Sequence, residues 1–306
     1  MNCLVFGGAG FLGKHLCRKL IDAGHQVRVF DRAGRAVPDS LSDCEWVAGD
    51  FTNPQDISAA LRDCEVVFHL VSATQPKASN ENPVFDIEAN LIATLRMLEA
   101  ARLAGTRRVV FASSGGTVYG NPRILPIPEE HPTDPLCSYG IGKLAIEKYL
   151  HLYKDLHGID YRVLRIANPY GEGQEPHAQQ GAIAVFSYKA LKDETITVWG
   201  DGSVVRDYLH VGDVADAMVR AMGHAGPHNV FNIGSGCGYS VNELLNAIER
   251  SLGRPVRRAY LPGRSFDVSK NVLDITRAKE ALQWGPQICL EDGLQRTLQW
   301  LASRSC

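Results

Sequence analysis

Residues 4–13 read LVFGGAGFLG. An apolar run delivers Gly7, Gly10 and Gly13 in the spacing G-x-x-G-x-x-G, and Leu12, Leu16 and Leu20 then recur every fourth position. The pattern is a strand, a bare turn and a helix. Backbone without side chains lets a pyrophosphate approach the helix N-terminus, where free N–H groups and the helix dipole favour negative charge. Phe11 and Leu12 open the helix beside that site. A glycine turn alone is weak support, since many strand-to-helix turns need glycine. Asp31 strengthens it by ending the next strand (QVRVFD, 26–31), where a carboxylate can take both ribose hydroxyls of an adenosine. A carboxylate there repels the extra phosphate of NADP and favours NAD, although Arg32 beside it offers a guanidinium that would suit NADP.

Outward from this turn, apolar runs alternate with helical stretches. EVVFHL (65–70), RRVVFASS (107–114) and YRVLRIAN (161–168) read as strands, and 83–104, with Leu91, Leu95, Leu98 and Ala101 on one stripe before Gly105, reads as a helix. Strands apolar throughout and separated by helices predict a parallel sheet covered on both faces. The expected fold is therefore α/β, a doubly wound Rossmann sheet over 1–167, followed by a smaller, more broken substrate domain over 168–306. Part of 204–233 is expected to return to the first domain. In the second, helices are expected at 182–192, near 241–252 and near 290–302, with a strand at ITVWG; the proline-rich 122–135 reads as a loop.

Bulk properties narrow the function classes. The chain has 306 residues and a formal net charge of −2, with no block of like charge. Nucleic acid and anionic membranes are not expected as partners, and no apolar run is long enough to insert in a bilayer. Eight cysteines are scattered without a C-x-x-C pair or a secretory signal, which predicts reduced thiols and a cytoplasmic protein. No metal spacing is present: His224 and His228 are four apart, but Gly226 and Pro227 deny them a shared helical face.

SYGIGK (138–143) carries the chemistry. Tyr139 and Lys143 stand one helical turn apart, so they share a face. A phenol is a poor base at neutral pH; bringing it from about 10 to about 7 takes roughly 4 kcal/mol. A neighbouring ammonium and an oxidised nicotinamide each favour the phenolate. The bland alternative is a core tyrosine and a solvated lysine. Against it stands the upstream strand ending in Ser113-Ser114-Gly115-Gly116-Thr117, whose hydroxyls could hold a substrate oxygen against the phenol.

With these motifs in view, nearly the whole chain resembles the extended short-chain dehydrogenase/reductase family, and within it the nucleotide-sugar 4-epimerases typified by UDP-galactose 4-epimerase. The resemblance rests on GGAGFLG, Asn90 of IEANLIAT, TVYG (117–120), SYGIGK, RIANPYG, GDGSVVRDYLHVGDVADA (200–217) and GRSFD (263–267). It implies that Tyr139 is the base and that Lys143 binds the nicotinamide ribose while lowering the phenol pKa. Asn90 would support the site from the neighbouring helix. The cofactor cleft would be completed at successive strand ends by Asp50 and Phe51, Leu70 and Val71, Ser113 and Ile166. Asn168, Arg206, Arg264 and Asp267 would hold the diphosphate and ribose of a UDP-sugar, with Trp199 beside the uracil. Asn271 would gate the sugar's 2-substituent, leaving some room for N-acetyl forms. A homodimer through 83–104 and 139–157 is also implied.

One position departs from the pattern. Relatives place Ser or Thr four residues before the tyrosine of V-Y-G, and here that place is Gly115. Thr117, then Ser114, are the candidate replacement hydroxyls. The implied reaction is NAD-dependent inversion of C4 of a UDP-hexose, UDP-glucose/UDP-galactose or an N-acetyl form, through a transient 4-keto sugar. GGTVYG lacks the acidic residues of the related dehydratases and decarboxylases. Other NAD(P)-dependent nucleotide-sugar oxidoreductases, decarboxylases or uronate epimerases, and a silent NAD-sensing relative, remain the alternatives.

Overall fold

The leucine stripe of the opening helix is its buried face. In the computed structural model, which describes residues 1–34, 38, 41–176, 181–263 and 268–304, α1 (Phe11–Asp22) buries Leu16, Cys17 and Leu20 and leaves Arg18 and Lys19 in solvent. It follows β1 (Asn2–Phe6) and leads into β2 (Gln26–Asp31). The chain continues through β3 (Glu45–Ala48), α2 (Pro54–Ala60), β4 (Val66–His69) and two short helices, α3 (Pro76–Glu81) and α4 (Pro83–Asp86). A wide π-helical turn, Ile87–Ile92, joins α4 to α5 (Ala93–Ala104). The single helix expected over 83–104 is thus three segments, and Asn90 sits in the wide turn. Gly105 closes α5 in the left-handed conformation, φ +76°, where glycine carries no Cβ penalty. Then come β5 (Arg108–Ser114), α6 (Ser138–His157) and β6 (Asp160–Ile166). No regular helix or strand occupies 122–135.

Beyond β6 lie β7 (Asn168–Tyr170), α7 (Ala182–Leu191), β8 (Ile196–Trp199), β9 (Val205–His210), α8 (Val211–Gly223), β10 (Val230–Ile233), β11 (Gly238–Ser240), α9 (Val241–Leu252), β12 (Arg258–Leu261), β13 (Lys270–Asn271), α10 (Thr276–Ala281) and α11 (Leu290–Ser303). The central sheet runs β10-β6-β5-β4-β1-β2-β3, every pair parallel. This is a Rossmann fold, and the strand order reverses between β1 and β4. In such sheets ligands bind in the crevice beyond the strand C-termini at that reversal. α8 packs on α1, and β10 extends the sheet beside β6 in register Ile233↔Ile166.

The sheet's two faces carry two cores. Val5, Leu16, Val29, Leu164 and Phe231 belong to one, and Phe6, Phe68, Leu98, Phe111 and Ile146 to the other. A third core, around Tyr170, Ile196, Leu245 and Leu294, lies under β8 and α9. A small sheet sets β9 between β11 and β13, with β7 also on β9, pairing Asn168 with Tyr208 and Asn271 with Arg206. No described helix is long and apolar enough to cross a membrane.

Candidate active site

The crevice begins at the glycine turn. Gly7 has φ +82°, and a Cβ on Gly13 would stand 2.3 Å from the Gly7 carbonyl oxygen, so neither position admits a larger residue without strain. Gly10 caps α1 in extended conformation without a side-chain hydrogen bond. The first-turn N–H groups therefore lack a side-chain cap and suit a phosphate. Asp31 is buried at the end of β2, and its Oδ2 accepts from the Ala9 N–H at 3.0 Å, so the carboxylate also holds the turn itself. Arg32 is exposed beside it. The backbone of Leu70–Val71 lies against Gly7, which brings the ends of β4 and β1 together at the reversal. These features fit a dinucleotide.

Other expected cofactor residues divide. Asp50 is exposed after β3, and hydrogen bonds from Thr52 hold its carboxyl below the usual range. Phe51 turns inward, its ring 5.1 Å from those of Phe6 and His69. Ser113 also turns inward, donating to Glu147 Oε1 at 2.5 Å. Ile166 is buried, and its carbonyl accepts from Gly115 N at 2.8 Å. The side chains of Phe51, Ser113 and Ile166 thus shape the floor rather than line an open face.

Tyr139 and Lys143 occupy the first two turns of α6 on one face. Lys143 Nζ lies 5.5 Å from the Tyr139 ring centroid and 4.7 Å from that of Phe111, and it donates to the Ala112 carbonyl at 2.9 Å. Burial pushes Lys143 down to about 8, against the pull of Glu147 and Asp86. Tyr139 goes the other way, up to about 12, through burial, then the Cys137 thiol once it ionises and the Asp86 carboxylate; a hydrogen bond with Ser72 opposes the rise. The protein alone therefore does not acidify the phenol.

Asn90 reaches across the wide turn. Its Oδ1 accepts from Ala73 N at 2.8 Å, and its Nδ2 donates to Thr74 Oγ1 at 3.0 Å and Asp86 Oδ1 at 2.9 Å. π-turns of this kind recur at functional sites.

The wall opposite is built around Gly115. A Cβ there would stand 2.5 Å from Leu273 Cδ1. Leu273 thus fills the space a side chain at position 115 would need, which accounts for the glycine. Asn271 is buried on β13 and donates through Nδ2 to the Gly115 carbonyl at 3.1 Å, while its Oδ1 has no hydrogen-bond partner among the described residues. Thr117 Oγ1 is likewise buried and unpaired there, and Thr117 packs against the Gly140 position, one residue beyond Tyr139. Ser114 is half-buried at the end of β5.

The small sheet carries three of the expected substrate residues, Asn168, Arg206 and Asn271. Asn168 Nδ2 donates to the Asp207 carbonyl at 2.9 Å, and Arg206 Nη1 to the carbonyls of Val205 and Val268 at 2.9 and 2.7 Å. Trp199 is exposed at the end of β8. Arg264 and Asp267 lie outside the described residues. No group of His, Cys, Asp or Glu suited to a metal occurs among the described residues.

Several supporting residues escaped sequence reasoning. Glu147, one turn beyond Lys143, pairs with buried Arg165 at 2.7 Å, and Arg165 also donates to Tyr119 OH at 2.9 Å. The spacing of Glu147 and an arginine inside the apolar strand RVLRI were available signals. Asp86, which touches Thr74, Asn90 and Ser138, left no such mark.

Comparison with known proteins agrees with this layout. The model of the NAD dependent epimerase/dehydratase family matches residues 3–234. A UDP-glucose 4-epimerase of Mycolicibacterium smegmatis is 40% identical, covering 100% of both chains. The crystal structure of a UDP-glucose 4-epimerase from Thermotoga maritima with UDP-glucose superposes with TM-score 0.95 at 36% identity over 100% of both chains. That of the Thermus thermophilus enzyme complexed with NAD gives 0.92 at 32% identity, covering 99% of this chain and 100% of that one. From glycine turn to β10, sequence, fold and site agree: the chain belongs to the NAD dependent epimerase/dehydratase family.

Proposed function

We propose that this enzyme, an NAD-dependent isomerase, inverts C4 of a UDP-hexose, with UDP-glucose and UDP-galactose as the first pair and their N-acetyl forms as candidates. The observation that supports the reading is Tyr139 beside Lys143 at the start of α6, hydrogen-bonded with Ser72 from the loop after β4, together with two unpaired buried polar atoms next to Gly115. The glycine turn, Asp31 and Lys143 would hold the dinucleotide. When bound, NAD supplies a hydride acceptor at C4 and later the donor.

The chain's residues move the proton and hold the sugar. Tyr139 takes the proton of the 4-hydroxyl and returns it after the sugar has presented its other face. The proton must be easy to accept and easy to give back. Lys143, 5.5 Å from the ring centroid, would favour the phenolate through its charge, while burial and Asp86 favour the neutral phenol. Thr117 Oγ1 would hold the sugar's 4-oxygen in place of the absent side chain at Gly115. Asn168, Arg206 and Trp199 would receive the nucleoside diphosphate, and Asn271 would face the 2-substituent.

The test is incubation of the purified protein with UDP-galactose, UDP-N-acetylglucosamine and UDP-glucuronate without added cofactor. Interconversion of 4-epimers supports the reading; net NAD(P)H change or carbon dioxide release replaces it with a different nucleotide-sugar reaction. Tyr139→Phe should abolish turnover at unchanged NAD content, and full activity in that variant would end the mechanism.

A homodimer belongs to the same proposal. Ile141, Tyr149, Leu152 and Leu156 form an exposed apolar face on α6, and Val84, Phe85, Ile87 and Leu103 stand exposed along α4, the wide turn and α5. A monomer rarely exposes so much aligned apolar surface. Light scattering giving the mass of one chain would refute it.

A further inference from the structure

Asp86 ends α4 and is 2% exposed, yet its three hydrogen-bond donors are neutral. Thr74 donates through Oγ1 and Asn90 through Nδ2 at 2.9 Å, both to Oδ1; Ser138 donates through Oγ to Oδ2 at 2.7 Å. The donors come from different pieces of the site. Thr74 is on the loop after β4, Asn90 is in the wide turn, and Ser138 is the first residue of α6, next to Tyr139. The backbone of that first turn is held from the same side. Ser138 N donates to Asn80 Oδ1 at 2.9 Å and Tyr139 N to buried Ser79 Oγ at 3.0 Å, while Cys137, the N-cap residue, makes no side-chain cap. Segment 79–86 therefore caps α6 from outside through Ser79, Asn80 and Asp86, and of these three Asp86 is the charged one.

We propose that Asp86 is a positioning residue for the Tyr139–Lys143 pair, pinning the start of α6 to the loop after β4 and to the wide turn that carries Asn90. The inference rests on the reading of Tyr139 as the base. It assigns Asp86 no contact with substrate.

Charge gives the role a signature that packing alone lacks. The groups acting on the Tyr139 phenol are Cys137 just before α6, Asp86 from α4 and the Ser72 hydroxyl from the loop after β4; Lys143 on the same helix lies 5.5 Å from its ring centroid. Glu147 and Asp86 act in turn on Lys143, which also faces His69 of β4. The anion at Asp86 favours both the protonated phenol and the charged ammonium. Asp86→Asn keeps the shape and one oxygen acceptor but removes the charge. Both limbs of the pH profile of kcat/KM should then move to lower pH, and kcat should fall by about tenfold as hydrogen bonds to a charged acceptor are lost. Ser138→Ala removes one bond and keeps the charge, so kcat should fall severalfold with the limbs in place.

The experiment measures kcat, KM and pH profiles for the 4-epimer pair the enzyme turns over, with NAD content and thermal midpoint for every variant. Unmoved limbs in Asp86→Asn overturn the proposal. If that variant does not fold, Ser138→Ala and Thr74→Val decide. Reduced kcat in both at parental NAD content sustains the proposal, and kcat within twofold of the parent in both overturns it. Tyr139→Phe separates the two levels: activity there removes the base assignment itself, whereas inactivity there with unmoved limbs in Asp86→Asn removes only this inference.

Discussion

Placing at Gly115 the hydroxyl side chain that the family resemblance leads one to expect there should harm this protein. The Cβ of Gly115→Ser would stand 2.5 Å from Leu273 Cδ1, 3.0 Å from Leu273 Cδ2 and 3.1 Å from the Arg165 carbonyl oxygen. Neither backbone can retreat easily. Gly115 donates to Ile166 O at 2.8 Å and accepts from Asn271 at 3.1 Å; the neighbours of Leu273 are tied to Ile127 at 2.8 and 2.9 Å. The leucine side chain must yield, and it is fully buried among Val118, Tyr119, Ile127, Ala167 and Ile275. Overpacking of this kind costs about 1–3 kcal/mol. Leu273→Ala alone should cost about 2–5 kcal/mol through the cavity it opens. The double variant should be more stable than the sum of the two by roughly 1–3 kcal/mol, because the added atoms then fill vacated space. Urea unfolding at one fixed NAD concentration reads all four proteins; the concentration must be fixed because a ligand of the folded state adds its own stability. Gly115→Ser within about 0.5 kcal/mol of the parent, or strictly additive costs, would refute the packing argument. Epimerase activity of Gly115→Ser above the parent's would refute its functional half.

Two further outcomes can be measured alongside. Thr117→Val keeps shape and removes a buried hydroxyl with no partner, so stability should hold or rise, by up to about 1–3 kcal/mol, while kcat falls at least tenfold; a lower thermal midpoint with intact activity would contradict this. His69 is sealed between the rings of Phe51 and Phe111, and burial, helped by Lys143, pushes it down to about 3, so the folded state binds fewer protons than the unfolded chain below pH 6.5. Its contribution is complete above that pH and shrinks as pH falls toward 3. Between pH 7 and pH 5 the parent should lose about 2 kcal/mol that His69→Gln does not, and parallel losses in the two would exclude His69 as the source.

The fold was legible because its signals are local. Leu12, Leu16 and Leu20 mark the helix after the glycine turn, and apolar runs such as VVF and RVLRI can only be central parallel strands. The Tyr139–Lys143 pair was legible for the same reason, being one helical turn. What escaped depends on pairing at long range. The wide turn at Asn90 breaks a leucine stripe that reads as continuous. Asp86 meets Ser138 across 52 residues. Asn271 meets Gly115 across 156. The direction of a side chain at a strand end is equally silent in sequence: Ser113 and Ser114 look alike, yet Ser113 is committed to Glu147 beneath the sheet.

The same long-range pairing explains how the site does without a side chain at Gly115. An unpaired buried polar atom costs folding free energy of order 1–3 kcal/mol and is uncommon in a native protein. Two such atoms, Thr117 Oγ1 and Asn271 Oδ1, flank this one glycine; Thr117 lies two residues along the chain, and the Asn271 amide donates to the Gly115 carbonyl through Nδ2, leaving Oδ1 unpaired among the described residues. One can donate and accept; the other only accepts. That is the complement a sugar edge would need, with one alkoxide-bearing carbon to hold and one hydroxyl or amide N–H to receive. A wall with only packing to serve would be expected to bury apolar atoms there, as Leu273 does on the remaining side. Catalysis by proton and hydride transfer asks chiefly for fixed charges and dipoles around the reacting carbon. In the proposed mechanism those come from α6, through Tyr139 and Lys143, and the hydroxyl of Thr117, two residues beyond Gly115, would serve without moving the chemistry.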